Sequence, residues 1–329
     1  MEAAHQELVH RARKAAESIL AGDDDRLLCV VGPCSIHDVD AAREYGEFLR
    51  KEAVRHSGEL LIVMRTYFEK PRTVGGWKGL INDPNLDGTY RINDGLRLSR
   101  GLLRDLSSAG IPVACEFLDN IIPQYIADFV SWVAIGARTS ESQIHREFAS
   151  GCSMPVGFKN GTSGRVETAV DAVRAAALSH WFPSVTAQGV SAILETTGNP
   201  ACHVILRGGH ETGPNHTAEF IARTTAMLEE HGLPARVMID CSHGNSLKKP
   251  ERQPEVAAEV ARQVAAGSTA IMGVMVESNL VAGRQDLRDP ADLVRGQSIT
   301  DGCIGLPETS ELLAVLADSV RSRRVAAVS

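Results

Sequence analysis

At 329 residues, 43% apolar and 23% charged, the chain is long enough to bury a large core, and its length suits a single α/β barrel. A net charge of −7 argues against a general nucleic-acid footprint, so any anion site must be a local concentration of Lys and Arg. Seven cysteines, odd in number and without a CxxC pair, argue against a disulfide framework and for a reducing, cytoplasmic compartment. The polar stretch MEAAHQELVHRARKAAESIL has no signal-type apolar core, and no apolar run approaches about eighteen residues, so neither export nor a membrane span is expected.

Short apolar runs alternate with amphipathic stretches. A short N-terminal helix is expected over 1–22, then a strand at LLCVVG (27–32) and a helix at 40–55. Strands follow at LLIVM (60–64), IPVACEF (111–117), WVAIGA (132–137) and MPVGF (154–158), with helices at 93–109, 141–151 and 164–177. The later strands are CHVILRG (202–208), RVMID (236–240) and AIMGVMVES (270–278), with helices at 216–232, 254–266 and 308–325. Near-continuous apolar runs read as strands buried on both faces of a parallel sheet. The alternation predicts one domain, 1–329, folded as a (β/α)8 TIM barrel. Residues 183–199 are extra, β-rich with turn residues, and read as an inserted β-hairpin.

The catalytic face of such a barrel lies at the C-terminal ends of its strands. Each apolar run here delivers a charged or ligand-type residue to that rim. Cys34 and His37 follow the first run, Arg65 ends the second, Glu116 the third, Arg138 the fourth, Lys159 the fifth and Arg207 the sixth. Asp240 and His243 follow the seventh, Glu277 ends the eighth, and Asp301 lies beyond it. A single strand-end charge is ordinary surface decoration. The joint pattern is not, because charge flush with buried strands is costly unless paired or liganded.

The rim residues form two chemical sets. Arg65, Lys70, Arg72, Arg138, Lys159 and Arg207 are cations that would repel one another without anions among them, and the Arg fork suits carboxylate and phosphate oxygens. Two phosphorylated or carboxylated substrates would account for the number, with Gly75, Gly76 and Gly79 allowing close backbone approach. Cys34, His243, Glu277 and Asp301 offer a thiolate, an imidazole and two carboxylates, a donor set suited to a divalent transition metal. On spacing alone, a packed core histidine and an inert buried cysteine remain alternative readings.

The segments VVGPCSIHD, MRTYFEKPRT, GWKGLINDP, EFLD, PVGFKNGT, ILRGG, MIDCSHGNS, GVMVES and SITDGCIG occur in one order, with AIGART between the fourth and fifth. Together they resemble the short-chain bacterial and fungal 3-deoxy-D-arabino-heptulosonate 7-phosphate (DAHP) synthases, from about Asp23 to the C-terminus. The resemblance implies a metal-dependent barrel that condenses phosphoenolpyruvate with erythrose 4-phosphate and water, releasing phosphate, in a homodimer or homotetramer. It implies Cys34, His243, Glu277 and Asp301 as ligands of Mn2+, Fe2+, Co2+ or Zn2+. It implies Arg65, Lys70, Arg138, Lys159 and Arg207 as phosphoenolpyruvate contacts, assisted by the backbone around Glu116 and Ala137. Lys70, Pro71, Arg72 and Thr73 would hold the phosphate of the aldose.

Within that reading, Lys70 is expected to donate a proton with its pKa lowered by clustered cations, and Glu116 to orient water. Rival readings are a synthase using another phosphorylated aldose and an inactive barrel serving as a subunit or sensor. Departures from the family pattern are the additional glycine in Gly75–Gly76 and His210 where a Lys is usual. A further expectation is that Cys34 and Cys303 approach closely enough to be linked by oxidation. The family's aromatic amino-acid inhibitor pocket resembles the region of Phe117, Asp119, Pro123, Gln124, Phe148 and Ser153. The arm that completes it there lies before the helix at the start of this sequence, so weak or absent feedback inhibition is expected.

Overall fold

Runs of Val, Ile, Leu, Ala and Met have no polar face to leave in water, and each becomes a strand covered on both sides. The computed structural model describes residues 1–72 and 74–326; Thr73, expected in the aldose loop, lies outside them. The first five strands are β1 (Leu27–Gly32), β2 (Leu60–Arg65), β3 (Val113–Glu116), β4 (Val130–Ile135) and β5 (Val156–Lys159). An antiparallel hairpin of β6 (Trp181–Val185) and β7 (Ser191–Glu195) follows. The chain returns as β8 (Cys202–Leu206), β9 (Val237–Asp240) and β10 (Ile271–Glu277). The other eight of these strands close a parallel barrel in the order β1-β10-β9-β8-β5-β4-β3-β2, and β11 (Val281–Arg284) pairs with β12 (Gln297–Ser298) in a small separate sheet.

The helices are α1 (Ala3–Ala21), α2 (Val39–Arg55), α3 (Ile92–Ser108), α4 (Pro123–Ile126), α5 (Gln143–Ser150), α6 (Glu167–Ala176), α7 (Ala218–Glu230), α8 (Gln253–Ala265) and α9 (Leu306–Ala326). Every barrel strand is thus followed by a helix. Only α4 has no counterpart in the sequence reading, being four residues long and too short to show a period. The hairpin is real but ends at Glu195, earlier than expected. Thr196 and Asn199 are buried anchors instead. Thr196 Oγ1 lies 2.6 Å from Ser150 Oγ, and Asn199 Nδ2 donates to Met154 O at 3.0 Å. The hairpin's outer face stays in water, with Trp181 66% exposed. No helix among the described residues is long and apolar enough to cross a membrane.

Inside the barrel, Leu28, Val30, Val63, Ala114, Trp132, Ala134, Ile205, Met238 and Met275 form one buried cluster with Ala16, Ile19 and Leu20 of α1. The N-terminal helix therefore closes the end of the barrel remote from the functional rim. Gly22 ends α1 at φ 93°, and its amide donates to Ser18 O and Ile19 O. A Cβ there would also meet the Arg236 guanidinium at 2.7 Å.

Arg13 anchors the helix sideways. Its Nη2 donates to Ala127 O and Val130 O, both at 2.7 Å, and its Nη1 to Ser153 Oγ at 2.8 Å. Hydrogen bonds to a charged group contribute about 1.5–3 kcal/mol each, and truncation orphans carbonyls as well. Arg13→Ala is expected to cost about 2–4 kcal/mol in urea unfolding, well above an Arg11→Ala control at an exposed site.

His203 lies in the barrel wall with its ring 5.7 Å from that of Trp132. Burial lowers its pKa to about 4, only partly opposed by the Ala201 backbone. A histidine depressed in the folded state stabilises fully above its unfolded value of about 6.5. As pH falls from there toward 4, the unfolded chain takes up a proton that the folded one resists, and up to about 3 kcal/mol is lost. The urea midpoint of the wild type should therefore fall across this window more steeply than that of His203→Gln. Equal slopes would remove His203 as the cause.

Candidate active site

The strand ends place the two chemical sets on adjoining arcs of the rim. Metal-type donors come from the neighbouring β9, β10 and β1, and cations from β2 and from the adjacent β4, β5 and β8. The thiol and carboxylates of Cys34, Glu277 and Asp301 lie within 4.8 Å of one another, with Cys34 Sγ 3.6 Å from Asp301 Oδ2. His243 stands at the edge of this group, its Nε2 3.9 Å from Glu277 Oε1. His243 adopts φ 53°, a left-handed conformation that costs a non-glycine residue free energy and is held by the surrounding loop.

Each donor is braced from behind. Arg65 Nη2 pairs with Glu277 Oε1 at 3.1 Å, and Ser242 Oγ donates to Oε2 at 2.9 Å. The side chain of Gln253 brackets the Glu277 backbone, accepting from its N–H and donating to its carbonyl, both at 2.8 Å. Asp240, wholly buried, places Oδ2 2.9 Å from His243 Nδ1 and 2.9 Å from Lys159 Nζ. Burial would raise its pKa, but His243 and Lys159 hold it well below the usual carboxylate range. Burial, then Glu277, pushes the Cys34 thiol up to about 11. A thiol kept protonated beside two buried carboxylates offers a place where a divalent cation would replace the proton and compensate the crowded negative charge, so the residues fit a metal.

The cations differ in depth. Arg65 is buried under the rim with its guanidinium carbon 4.0 Å above the Tyr67 ring, and its Nη1 has no hydrogen-bond partner among the described residues. Lys159 and Arg207 are buried as well, whereas Arg72 and Arg138 face solvent and Pro71 and Ala137 are half-buried. Burial lowers the pKa of Arg207, and the charge of Arg138 adds to that while Asp240 opposes it. Neighbouring cations that depress one another mark a place for an anion. Glu116 is buried beside them, and a Cβ on Gly136 would fall 2.2 Å from its Oε1, so glycine is needed there for this carboxylate to sit at the rim.

Lys70 corrects the expectation made for it. Its Nζ donates to Cys34 Sγ at 3.0 Å and to Cys34 O at 3.3 Å. Burial alone would lower its pKa, but the anions around it, Cys34 and Glu277 foremost, raise it overall. The residue lies among anions rather than among the cations. The loop glycines also divide. Gly79, at φ 116°, brings the chain against its own Phe68 carbonyl, where a Cβ would sit at 2.0 Å, while Gly75 faces open space. Trp77 is buried at the root of this loop, Nε1 donating to Asp83 O at 2.8 Å. His37 takes no part in the metal set; its segment runs directly into α2, capped by Asp38.

Three asparagines absent from the sequence reading lace the anion arc together, each at most 1% exposed. Asn160 Oδ1 accepts from the Arg207 amide at 2.8 Å, and Asn215 Oδ1 from the Gly208 amide at 2.7 Å. Asn245 Oδ1 accepts from the Asn215 amide at 2.8 Å, while its Nδ2 donates to Asp240 O at 2.9 Å. Asn160 and Asn245 stand one and two positions after the rim residues Lys159 and His243, whereas Asn215 has no such neighbour in sequence. Cys303 is buried against the Cys34 backbone, and the Cys34 thiol raises its pKa further. The inhibitor-type region gathers Phe117 and Phe148 edge to face at 5.7 Å, and Asp119 Oδ1 accepts from the Ile121 amide at 2.6 Å. Pro123 and Gln124 belong to or adjoin α4, and Ser153 is bound by Arg13.

The family model described as the DAHP synthetase I family matches residues 7–314. The Phe-sensitive phospho-2-dehydro-3-deoxyheptonate aldolase of Escherichia coli (strain K12) is 57% identical over 96% of this chain and 90% of its own length. A Trp-sensitive phospho-2-dehydro-3-deoxyheptonate aldolase of Enterobacter agglomerans is 55% identical over 96% of this chain and 90% of its own. The solved phospho-2-dehydro-3-deoxyheptonate aldolase of Francisella tularensis SCHU S4 superposes with a TM-score of 0.95 at 51% identity, covering 98% of this chain and 94% of that one. With its rim chemistry and its near-complete match, this chain belongs to the DAHP synthetase I family.

Proposed function

We propose that the protein condenses phosphoenolpyruvate with erythrose 4-phosphate and water to give DAHP and phosphate, the entry reaction of the shikimate pathway. One observation carries this reading beyond family membership. A buried guanidinium nitrogen of Arg65 has no partner among the described residues, while the other end of the same fork pairs with Glu277 of the metal-type set. Arg65, Lys159, Arg207 and Arg138 hold the carboxylate and phosphate of phosphoenolpyruvate. Lys70, Pro71, Arg72 and Thr73 hold the phosphate of the aldose. Fixing the two in register supplies the proximity that carbon–carbon bond formation needs.

A divalent transition ion held by Cys34, His243, Glu277 and Asp301 would supply Lewis-acid polarisation of the aldehyde oxygen. Lys70, kept protonated by its anionic neighbours, donates a hydrogen bond and then a proton toward that oxygen. Glu116 orients the water that attacks the enol carbon as phosphate departs. Incubating the protein with phosphoenolpyruvate and a panel of phosphorylated aldoses, with phosphate release as readout, tests the reading. Preferred turnover of erythrose 4-phosphate is expected; turnover only with a pentose phosphate, or none, overturns it.

Weak feedback inhibition is the regulatory part of this proposal. Its support is that Ser153, in the inhibitor-type region, is already hydrogen-bonded by Arg13 of the same chain. Relatives are named Phe-sensitive and Trp-sensitive, so titrating Phe, Tyr and Trp against the initial rate is decisive. Half-inhibition at low micromolar concentration by any of them refutes it.

A further inference from the structure

Asp240 sits where the two arcs of the rim meet, at the end of β9, between β8 and β10. It is wholly buried, and its two oxygens are committed differently. Oδ1 accepts from the Ser242 amide at 2.9 Å, which fixes the carboxylate plane. Oδ2 alone serves both remaining neighbours, His243 Nδ1 and Lys159 Nζ, each at 2.9 Å. Its backbone carbonyl accepts from Asn245 Nδ2 at 2.9 Å, which holds the strand end from which the carboxylate projects. From the geometry we infer that Asp240 is a positioning residue shared by both halves of the site, one carboxylate oxygen coupling ion binding at His243 to anion binding at Lys159. This inference rests on the reading of the two arcs given above.

The physical argument concerns competition for one oxygen. Lys159 Nζ donates to Oδ2, while the imidazole Nδ1 lies 2.9 Å from the same oxygen without a hydrogen bond to it, so its Nε2 is a weaker donor to an ion. When a substrate carboxylate or phosphate draws the ammonium of Lys159 toward itself, Oδ2 is released to His243 Nδ1–H. A carboxylate behind an imidazole raises the basicity of the opposite nitrogen and strengthens its bond to a metal. Anion binding therefore tightens ion binding, and by linkage the ion tightens the anion by the same factor. Direct attraction between ion and anion acts in the same direction, so the part carried by Asp240 is isolated only by removing its charge.

The test is calorimetric titration of Mn2+ into the metal-stripped full chain, with and without saturating phosphoenolpyruvate, for the wild type and Asp240→Asn. The variant is expected to bind Mn2+ roughly 10–100-fold more weakly. Without metal it should bind phosphoenolpyruvate at least as tightly as the wild type, because Lys159 no longer has to leave a carboxylate, and it should show a smaller factor between the two Mn2+ affinities. A variant that keeps the wild-type Mn2+ affinity, or keeps the wild-type factor, overturns the inference while leaving the functional reading intact. A wild type that binds neither ligand overturns both. Should Asp240→Asn fail to fold, Lys159→Gln carries the test, because it leaves Oδ2 to the imidazole. Its Mn2+ affinity without phosphoenolpyruvate should rise toward the value the wild type reaches only with it, and an unchanged affinity is the contrary result.

Discussion

Arg65→Met is expected to remove activity and to destabilise the fold in one step. The guanidinium is 1% exposed and pairs with Glu277, which is 0% exposed. Deleting one partner of a buried ion pair leaves the other charge without compensation and costs about 3–5 kcal/mol. Here the stranded group is also a metal-type donor. The same deletion removes the cation stacked over Tyr67 and a donor aimed into the anion site. Loss of one well-placed donor to developing charge reduces turnover by about 10²–10³-fold. Arg65→Lys should rescue little of either, since an ammonium cannot reach Pro33 O, Cys34 O and Glu277 Oε1 from one planar fork. Urea midpoints and kcat/KM measured on both variants decide the matter. A Met variant within about 1 kcal/mol of the wild type would show that Glu277 is neutral or relaxes into water.

Chelation should have the largest effect on turnover and a small one on the fold. With excess EDTA the protein is expected to lose activity, and Mn2+ or Co2+ to restore it, because a thiolate with an imidazole favours first-row transition ions over Mg2+. Cys34→Ala should bind little metal by elemental analysis yet keep its urea midpoint within about 1–2 kcal/mol, since the packed barrel interior sustains the fold. Full activity in EDTA or in the Cys34→Ala protein rules out the ligand set. The metal-free protein should also be inactivated by peroxide and rescued by thiol. Peptide mapping that finds no Cys34–Cys303 link in the oxidised protein removes that explanation.

The barrel was legible because its strands are buried on both faces, so β4, expected at WVAIGA and formed two residues earlier by VSWVAI, needed no alternation to be seen. What the pattern missed was local. A helix as short as α4 has no periodicity, and the segment after Glu195 looks β-like in composition but is anchored to the body by Thr196 and Asn199. At the site, charge at strand ends pointed to Arg65, Lys159, Arg207, Glu277 and Asp301, because such residues are costly there unless they serve a purpose. The environment of Lys70 was misread, since sequence places it among Arg and Lys while the fold turns its ammonium onto Cys34. Asn160, Asn215, Asn245 and Gln253 escaped notice because an uncharged amide carries no signature until its partners are known. The dual role of Asp240 likewise depends on which side chains share one oxygen.

The chain's three tryptophans occupy three unlike surroundings. Trp132 is sealed inside the barrel at 0% exposure, Trp77 is tucked at the root of the aldose loop at 6%, and Trp181 stands on the hairpin at 66%. Their emission is therefore a sum of spatially separate reporters. Trp181 contributes the red, water-relaxed component that a collisional quencher such as iodide reaches first. Trp132 contributes the blue component that persists until the barrel itself opens. Trp77 lies at the root of the segment proposed to meet a phosphorylated aldose, so a spectral change on adding one would be assigned to it. Replacing Trp181 by Phe strips away the solvent-facing signal and leaves a protein whose intrinsic light separates events at the rim from events in the core.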